Sequence, residues 1–170
     1  MVKTFETRYL IRHYRDTERF ESLCRSCPNY GRRWGCPPLA DSPYPDIARY
    51  PSIDIHLLKI AVPVSSGDSK ILTEIIDRHR RDYEPLLLTS EKELDGFAVL
   101  FTGQCRHCGD TTCARTAGKA CRHPDIVRPS LEALGFDLTR IASDLFGTPI
   151  QWASNGLLPP YLTLVGGVFH

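Results

Sequence analysis

Seven cysteines decide most of what this 170-residue chain can be, because they fall in two tight groups. Cys24, Cys27 and Cys36 form the first; Cys105, Cys108, Cys113 and Cys121 form the second. A chain of this length buries roughly 70% of the surface its unfolded form exposes, so its core needs no covalent staple. Apolar residues at 42% and charged residues at 24% are ordinary for a globular domain. The thiols therefore call for a chemical explanation. The segment Met1 to Arg8 has neither the apolar run nor the cleavage site of a secretion signal. No apolar stretch approaches the ~20 residues of a membrane span. A cytoplasmic, reducing location is expected, where spaced cysteines bind metals more often than they form disulfides. The odd count points the same way.

A net charge of +1 argues against nucleic acid as a partner. The charge is unevenly placed. Residues 1–36 carry eight Lys/Arg against four Asp/Glu, and residues 37–104 carry seven against eleven. Arg25, Arg32 and Arg33 accompany the first cysteine group; Arg106, Arg115, Lys119 and Arg122 accompany the second. Such cations either belong to a solvated face or offset a thiolate-rich, anionic metal site. Arg106 and Arg122, each following a cysteine, are candidates for the second role.

Strands and helices alternate along the chain. Phe5–Ile11 reads as a strand. Asp16 or Thr17 caps a short helix reaching Leu23. Five prolines between Pro37 and Pro51 mark a loop or extended connection, and Asn155–Pro160 marks another. Ile55–Val64 reads as a buried strand. Asp68 or Ser69 then caps a helix with Ile71, Leu72, Ile75, Ile76 and Tyr83 at helical spacing. Pro85 is expected to kink or end it. Gly96–Gly103 is a strand that feeds the second cysteine group. Ser130–Leu134 forms a helical turn closed by Gly135, Asp137 caps a helix stopped by Gly147, and Tyr161–Phe169 is the last strand. The expectation is one domain over residues 1–170, of α/β or α+β class. Helices cover a single four- or five-stranded sheet, with cysteine-rich loops at 24–38 and 103–124.

The second group, Cys105-x2-Cys108-x4-Cys113-x7-Cys121, supplies four thiols within seventeen residues, enough for one tetrahedral shell. Structural zinc usually takes two Cys-x2-Cys knuckles. Iron–sulfur ligands more often run along one loop with a proline near the last, and Pro124 lies three residues past Cys121. That comparison favours a 4Fe–4S cluster over zinc. His107 and His123 flank ligand positions and are read as loop residues. The first group ends in Cys36-Pro37-Pro38 and has only three thiols, with Tyr30 and Trp34 placed to exclude water from a cofactor. A fourth ligand must come from elsewhere (His13, His56, a carboxylate or a second-loop cysteine), or one position stays open, as a catalytic metal requires. Both loops together could also build one site.

The pattern Cys24-x2-Cys27-x2-Tyr30-Gly31-x2-Trp34-x-Cys36-Pro37-Pro38 resembles a family of uncharacterised prokaryotic proteins described as predicted metal-binding, the domain of unknown function 2284. Gly103-Gln-Cys105-x2-Cys108, Cys121-Arg122-His123-Pro124 and Ser130-x-Glu132-x-x-Gly135-x-Asp137 extend the likeness over nearly the whole chain. The resemblance implies a cysteine-rich metal binder and brings no reaction with it. The family's spacing between the second and third cysteines of the later loop is two residues, against four here, so Cys113 is carried over least directly.

Three functions follow. One is redox or electron transfer on one or two iron–sulfur clusters, with an unspecified partner. The second is a structural zinc protein acting as an interaction module. The third is a metalloenzyme with an open site at Cys24, Cys27 and Cys36, ranked below electron transfer because no general base, phosphate loop or nucleotide motif accompanies it. No catalytic residue is assigned.

Overall fold

The structure, a computed structural model, describes residues 1–40, 42–63, 70–109, 111–154 and 157–170. The described residues form strands β1 (Val2–Glu6), β2 (Ser52–Ala61), β3 (Phe97–Val99) and β4 (Tyr161–Phe169). Helices are α1 (Thr7–Tyr14), α2 (Thr17–Arg25), α3 (Lys70–Glu93) and α4 (Leu138–Arg140), the last continuing into a π-helical turn, Ile141–Leu145. The strands make one sheet in the order β1-β2-β4-β3, and every neighbouring pair is antiparallel. The fold is therefore α+β. The α/β alternative fails because no strand pair in this sheet is parallel.

The central pair is β2 and β4, matched over nine residues from Ile53 opposite Phe169 to Ala61 opposite Tyr161. One sheet face carries Ile53, Ile55, Leu57, Val99, Val165 and Phe169, packed on α1, α4 and the turn holding Leu131 and Phe136. The other face carries Ile60, Ala98, Leu164 and Val168 beneath Ile75 and Leu87 of α3. Strands covered on both faces read as continuous apolar runs, which is how β4 looks in sequence.

Two expectations are corrected. Phe5–Ile11 is not a strand: the chain turns from β1 into α1 at Thr7. Thr7, Leu10, Ile11 and Tyr14 recur at helical spacing, and Thr7, Leu10 and Tyr14 are buried. Over so few residues strand and helix patterns are hard to tell apart. Of the two outcomes expected at Pro85, a kink or an end, the end is ruled out, since α3 runs through it as one element. A proline inside a helix costs about 3 kcal/mol. Here Ile75, Ile76, Leu87 and Leu88, on both sides of the proline, pack into one apolar cluster and offset that cost.

The strand expected over Gly96–Gly103 is only Phe97–Val99, and that expected over Ile55–Val64 runs Ser52–Ala61, while several local readings match. Asp16 accepts from the Arg19 amide at 3.0 Å and starts α2. Asp137 does the same for Arg140 at 3.1 Å. Ser130 Oγ accepts from the Ala133 amide at 3.3 Å and opens the turn that Gly135 closes. β4 has the bounds expected of it. The proline-rich stretch is irregular apart from a 3-10 turn at Ile47–Arg49. Asp68 and Ser69, and Asn155 of the second loop stretch, lie outside the described residues.

Two outcomes follow from this packing. Phe136 is fully buried, 6.4 Å from the Phe169 ring. Phe136→Ala should cost about 3–5 kcal/mol in denaturant unfolding. His56, half-buried in β2, is held below the usual imidazole range by burial, with the amino terminus adding to the effect and Asp54 opposing it. The unfolded chain therefore binds this proton first. Stability tied to His56 is full above about pH 6.5 and falls as the pH drops below it. His56→Gln should flatten that part of the stability–pH curve, as read by thermal unfolding between pH 7.5 and 5.

Candidate metal centre

The first cysteine loop begins as α2 unwinds. The Cys27 amide donates to the Cys24 carbonyl at 2.9 Å, and the Cys36 amide to the Arg33 carbonyl at 3.0 Å. These short turns fold the loop back on itself, and the Gly31 amide reaches the Pro37 carbonyl at 2.8 Å. Tyr30 donates its phenol proton to Glu21 at 2.8 Å. The second loop leaves the end of β3 through Leu100 and Phe101. A 3-10 turn, Ala114–Ala117, lies between Cys113 and Cys121.

Eighty residues apart in sequence, the loops lie against each other. Gly35 makes this possible: a Cβ there would sit 3.1 Å from the Arg128 carbonyl oxygen and 3.5 Å from Cys105 Cβ. Arg33 donates to the Cys105 carbonyl at 3.1 Å. Trp34 Nε1 donates to the Lys119 carbonyl at 3.1 Å. Arg115 does most of the joining. It donates to the carbonyls of Arg33 at 2.8 Å, Cys36 at 2.6 Å and Pro38 at 2.5 Å, and its guanidinium lies over the Trp34 ring. A planar fork of five donors suits this role.

None of the seven cysteines is in a disulfide. Burial pushes the Cys36 thiol up to about 11, with Cys27, Cys105 and Cys24 adding repulsion and Arg33 opposing it. Burial likewise raises Cys24, with Cys27, Glu132 and Glu21 contributing. Cys105 and Cys121 are raised by burial and by the other second-loop cysteines. The electrostatic neighbourhoods are thus three thiols and four, meeting where Cys36 feels Cys105. Crowded thiols with raised pKa values are the condition a bound cation reverses. Backbone amides already face two sulfurs: His123 N–H donates to Cys121 Sγ at 3.3 Å, and His107 N–H donates to Cys105. Such bonds favour the thiolate. The donor set fits a sulfur-seeking metal. Among the described residues, however, no three His, Cys, Asp or Glu side chains are drawn together as a finished ligand cage.

The remaining candidates take these places. Arg106 pairs with Asp77 of α3. Arg122 donates to Thr111 Oγ1 and the Thr112 carbonyl and lowers the Cys121 thiol. His13 stacks on Tyr9 at 4.6 Å, and His56 sits mid-sheet between Val2 and Gly166. Neither is among the groups that perturb a thiol. A recess of about 220 Å³, walled by Trp34, Pro43, Tyr44, Pro124 and Val127, opens onto Cys121.

Sequence reading passed over several residues. Tyr44 donates to the Trp34 carbonyl at 3.0 Å and closes that recess. Arg128 grips Glu91 of α3 at 2.7 Å and ties down the exit of the second loop. Glu132, read as part of a structural turn, bonds Thr102 and acts on Cys24; burial pushes its carboxyl up. One available signal was the tripeptide Cys-Arg-His, present at 105–107 and again at 121–123. Both copies make the same amide-to-sulfur bond, and their histidine rings lie 6.4 Å apart.

The model of one family, described as predicted metal-binding protein (DUF2284), matches residues 11–169. The chain belongs to that family. No curated protein and no solved structure matches it. Membership makes this a predicted metal-binding protein and leaves the metal open. No described helix is long and apolar enough to cross a membrane.

Arg115→Lys tests how the lobe is joined. An ammonium cannot reach three carbonyls in one plane. The variant should lose about 2–4 kcal/mol of stability, read by thermal unfolding, and bind less metal per chain.

Proposed function

We propose that this DUF2284 member carries an iron–sulfur centre and serves in electron transfer or redox chemistry. The supporting observation is the second loop, where four thiols lie along one continuous segment and two receive backbone N–H bonds. Ligands strung along a single loop, with hydrogen bonds to sulfur, are the pattern of cluster sites. In this reading Cys105, Cys108, Cys113 and Cys121 hold a 4Fe–4S cluster. Cys24, Cys27 and Cys36 hold a second, or contribute to the first from the side where Gly35 lies against Cys105. When bound, such a cluster supplies one-electron transfer.

The chain's own residues do the rest. Trp34 and Tyr44 keep water from the Cys121 side, which with hydrogen bonding to sulfur sets the potential. Arg33 and Arg122 offset thiolate charge. Arg115 and Gly35 hold the loops in register.

A structural zinc site is the second reading. It is favoured by the presence of two Cys-x2-Cys knuckles, Cys24-x2-Cys27 and Cys105-x2-Cys108, in loops joined by the Arg33 bond to Cys105. Metal and sulfide analysis of protein purified without oxygen separates the two. The cluster reading expects brown protein with absorbance on the order of 400 nm and about four iron and four sulfide per cluster. Colourless protein with stoichiometric zinc and no sulfide sinks it. Cys105→Ser should remove most of the iron while leaving the sheet folded by circular dichroism.

A further inference from the structure

Beside the cysteine lobe, between α3 and the second loop, lies a groove of about 510 Å³. That volume is typical of small-molecule sites. Pro85, Leu88 and Ile126 form its apolar wall; Asp77, Arg81 and Arg106 are among its polar groups. Asp77, Arg81, Pro85 and Leu88 follow one another at helical spacing, so one face of α3 builds most of the site.

The charged groups differ in what they have left to offer. Arg80 is buried and committed, to Glu84 at 2.6 Å and to the Gln104 carbonyl at 3.2 Å. Arg106 is paired with one oxygen of Asp77. Among the described residues Arg81 makes no ion pair and is exposed at the groove. Three guanidinium groups face two carboxylates there, an excess of one positive charge. One acceptor is unmet and a second lacks its helical donor. Asp77 Oδ1 is buried without a hydrogen-bond partner. The Arg81 carbonyl has no helical donor, because residue 85 is proline and lacks an N–H.

We infer that the groove binds a small carboxylate with an apolar body and one hydrogen-bond donor. The carboxylate meets Arg81 and the free N–H groups of Arg106, the body lies on Leu88, Pro85 and Ile126, and the donor meets Asp77 Oδ1 or the Arg81 carbonyl. His107, hydrogen-bonded to the Ile126 backbone, links this wall to the segment between Cys105 and Cys108. The site does not depend on which metal the neighbouring thiols hold.

Calorimetric titration of the metal-loaded full chain tests this with N-acetyl-L-phenylalanine as the probe. It should bind at least fivefold more tightly than N-acetyl-L-phenylalanine amide, which lacks the charge, and than 3-phenylpropionate, which lacks the N–H. Arg81→Gln and Ile126→Glu, both at exposed or half-exposed positions, should each weaken the acid at least fivefold with unchanged circular dichroism. Equal binding of acid and amide, acid affinity unmoved by both variants, or no acid binding at millimolar concentration overturns the proposal. Tighter binding of phenyl phosphate than of the acid overturns the assignment to a carboxylate.

Discussion

One guanidinium holds the cysteine-rich lobe of this protein together. Arg115 donates to three consecutive-turn carbonyls of a loop some eighty residues away and lies on the face of that loop's tryptophan. Hydrogen bonds from a charged donor contribute more than neutral ones, and these are made to backbone, so they fix the course of the chain rather than a single side chain. Arg33 donates to the Cys105 carbonyl and Gly35 lies against Cys105, so the two loops meet there. The absence of a side chain at Gly35 lets the two backbones approach closely enough for the Arg115 fork to reach.

The sheet supplies the frame in which this can happen. The β2–β4 pairing carries one apolar cluster under α1 and α4 and a second under α3. The second loop leaves from β3, at the edge of that sheet, and returns to it where Leu100 bridges Ser130. The Arg128–Glu91 pair, both side chains mostly buried, then pins its exit to α3. A single long helix thus braces the cysteine lobe on one side and, at its proline, walls the neighbouring groove. Cys24 sits in the last turn of α2 and the other six cysteines on loops, free of the hydrogen-bonding demands of a sheet.

Much of the architecture was legible from residues that act locally. Asp16, Asp137 and Ser130 cap turns because a short oxygen acceptor sits just before free amides, a relation confined to three residues. The strand at 161–169 was legible because apolar and β-forming residues follow the loop signal at Pro159 and Pro160. The segment 5–11 misled because a strand and the first turn of a helix share apolar residues over so short a span, and burial of Leu10 and Tyr14 decided between them. At Pro85 the local rule was sound, but apolar contacts on both sides outweighed it. The cysteines were legible as two groups because metal-ligand spacing is itself local. Tyr44, Arg128 and Glu132 were not, because each matters through a partner far away in sequence.

The sequence by itself determined that this chain places seven thiols on two polar, glycine-containing loops, three and four at a time. It also determined that one α+β or α/β domain carries them, because helical period, caps and proline positions depend on neighbouring residues. Only the tertiary structure decided that the sheet is antiparallel throughout, that both loops form one lobe, and that Gly35 sets the first loop against Cys105. Those facts depend on contacts such as Arg115 with Pro38 and Gly35 with Arg128, whose partners are brought together only when the core between them has closed.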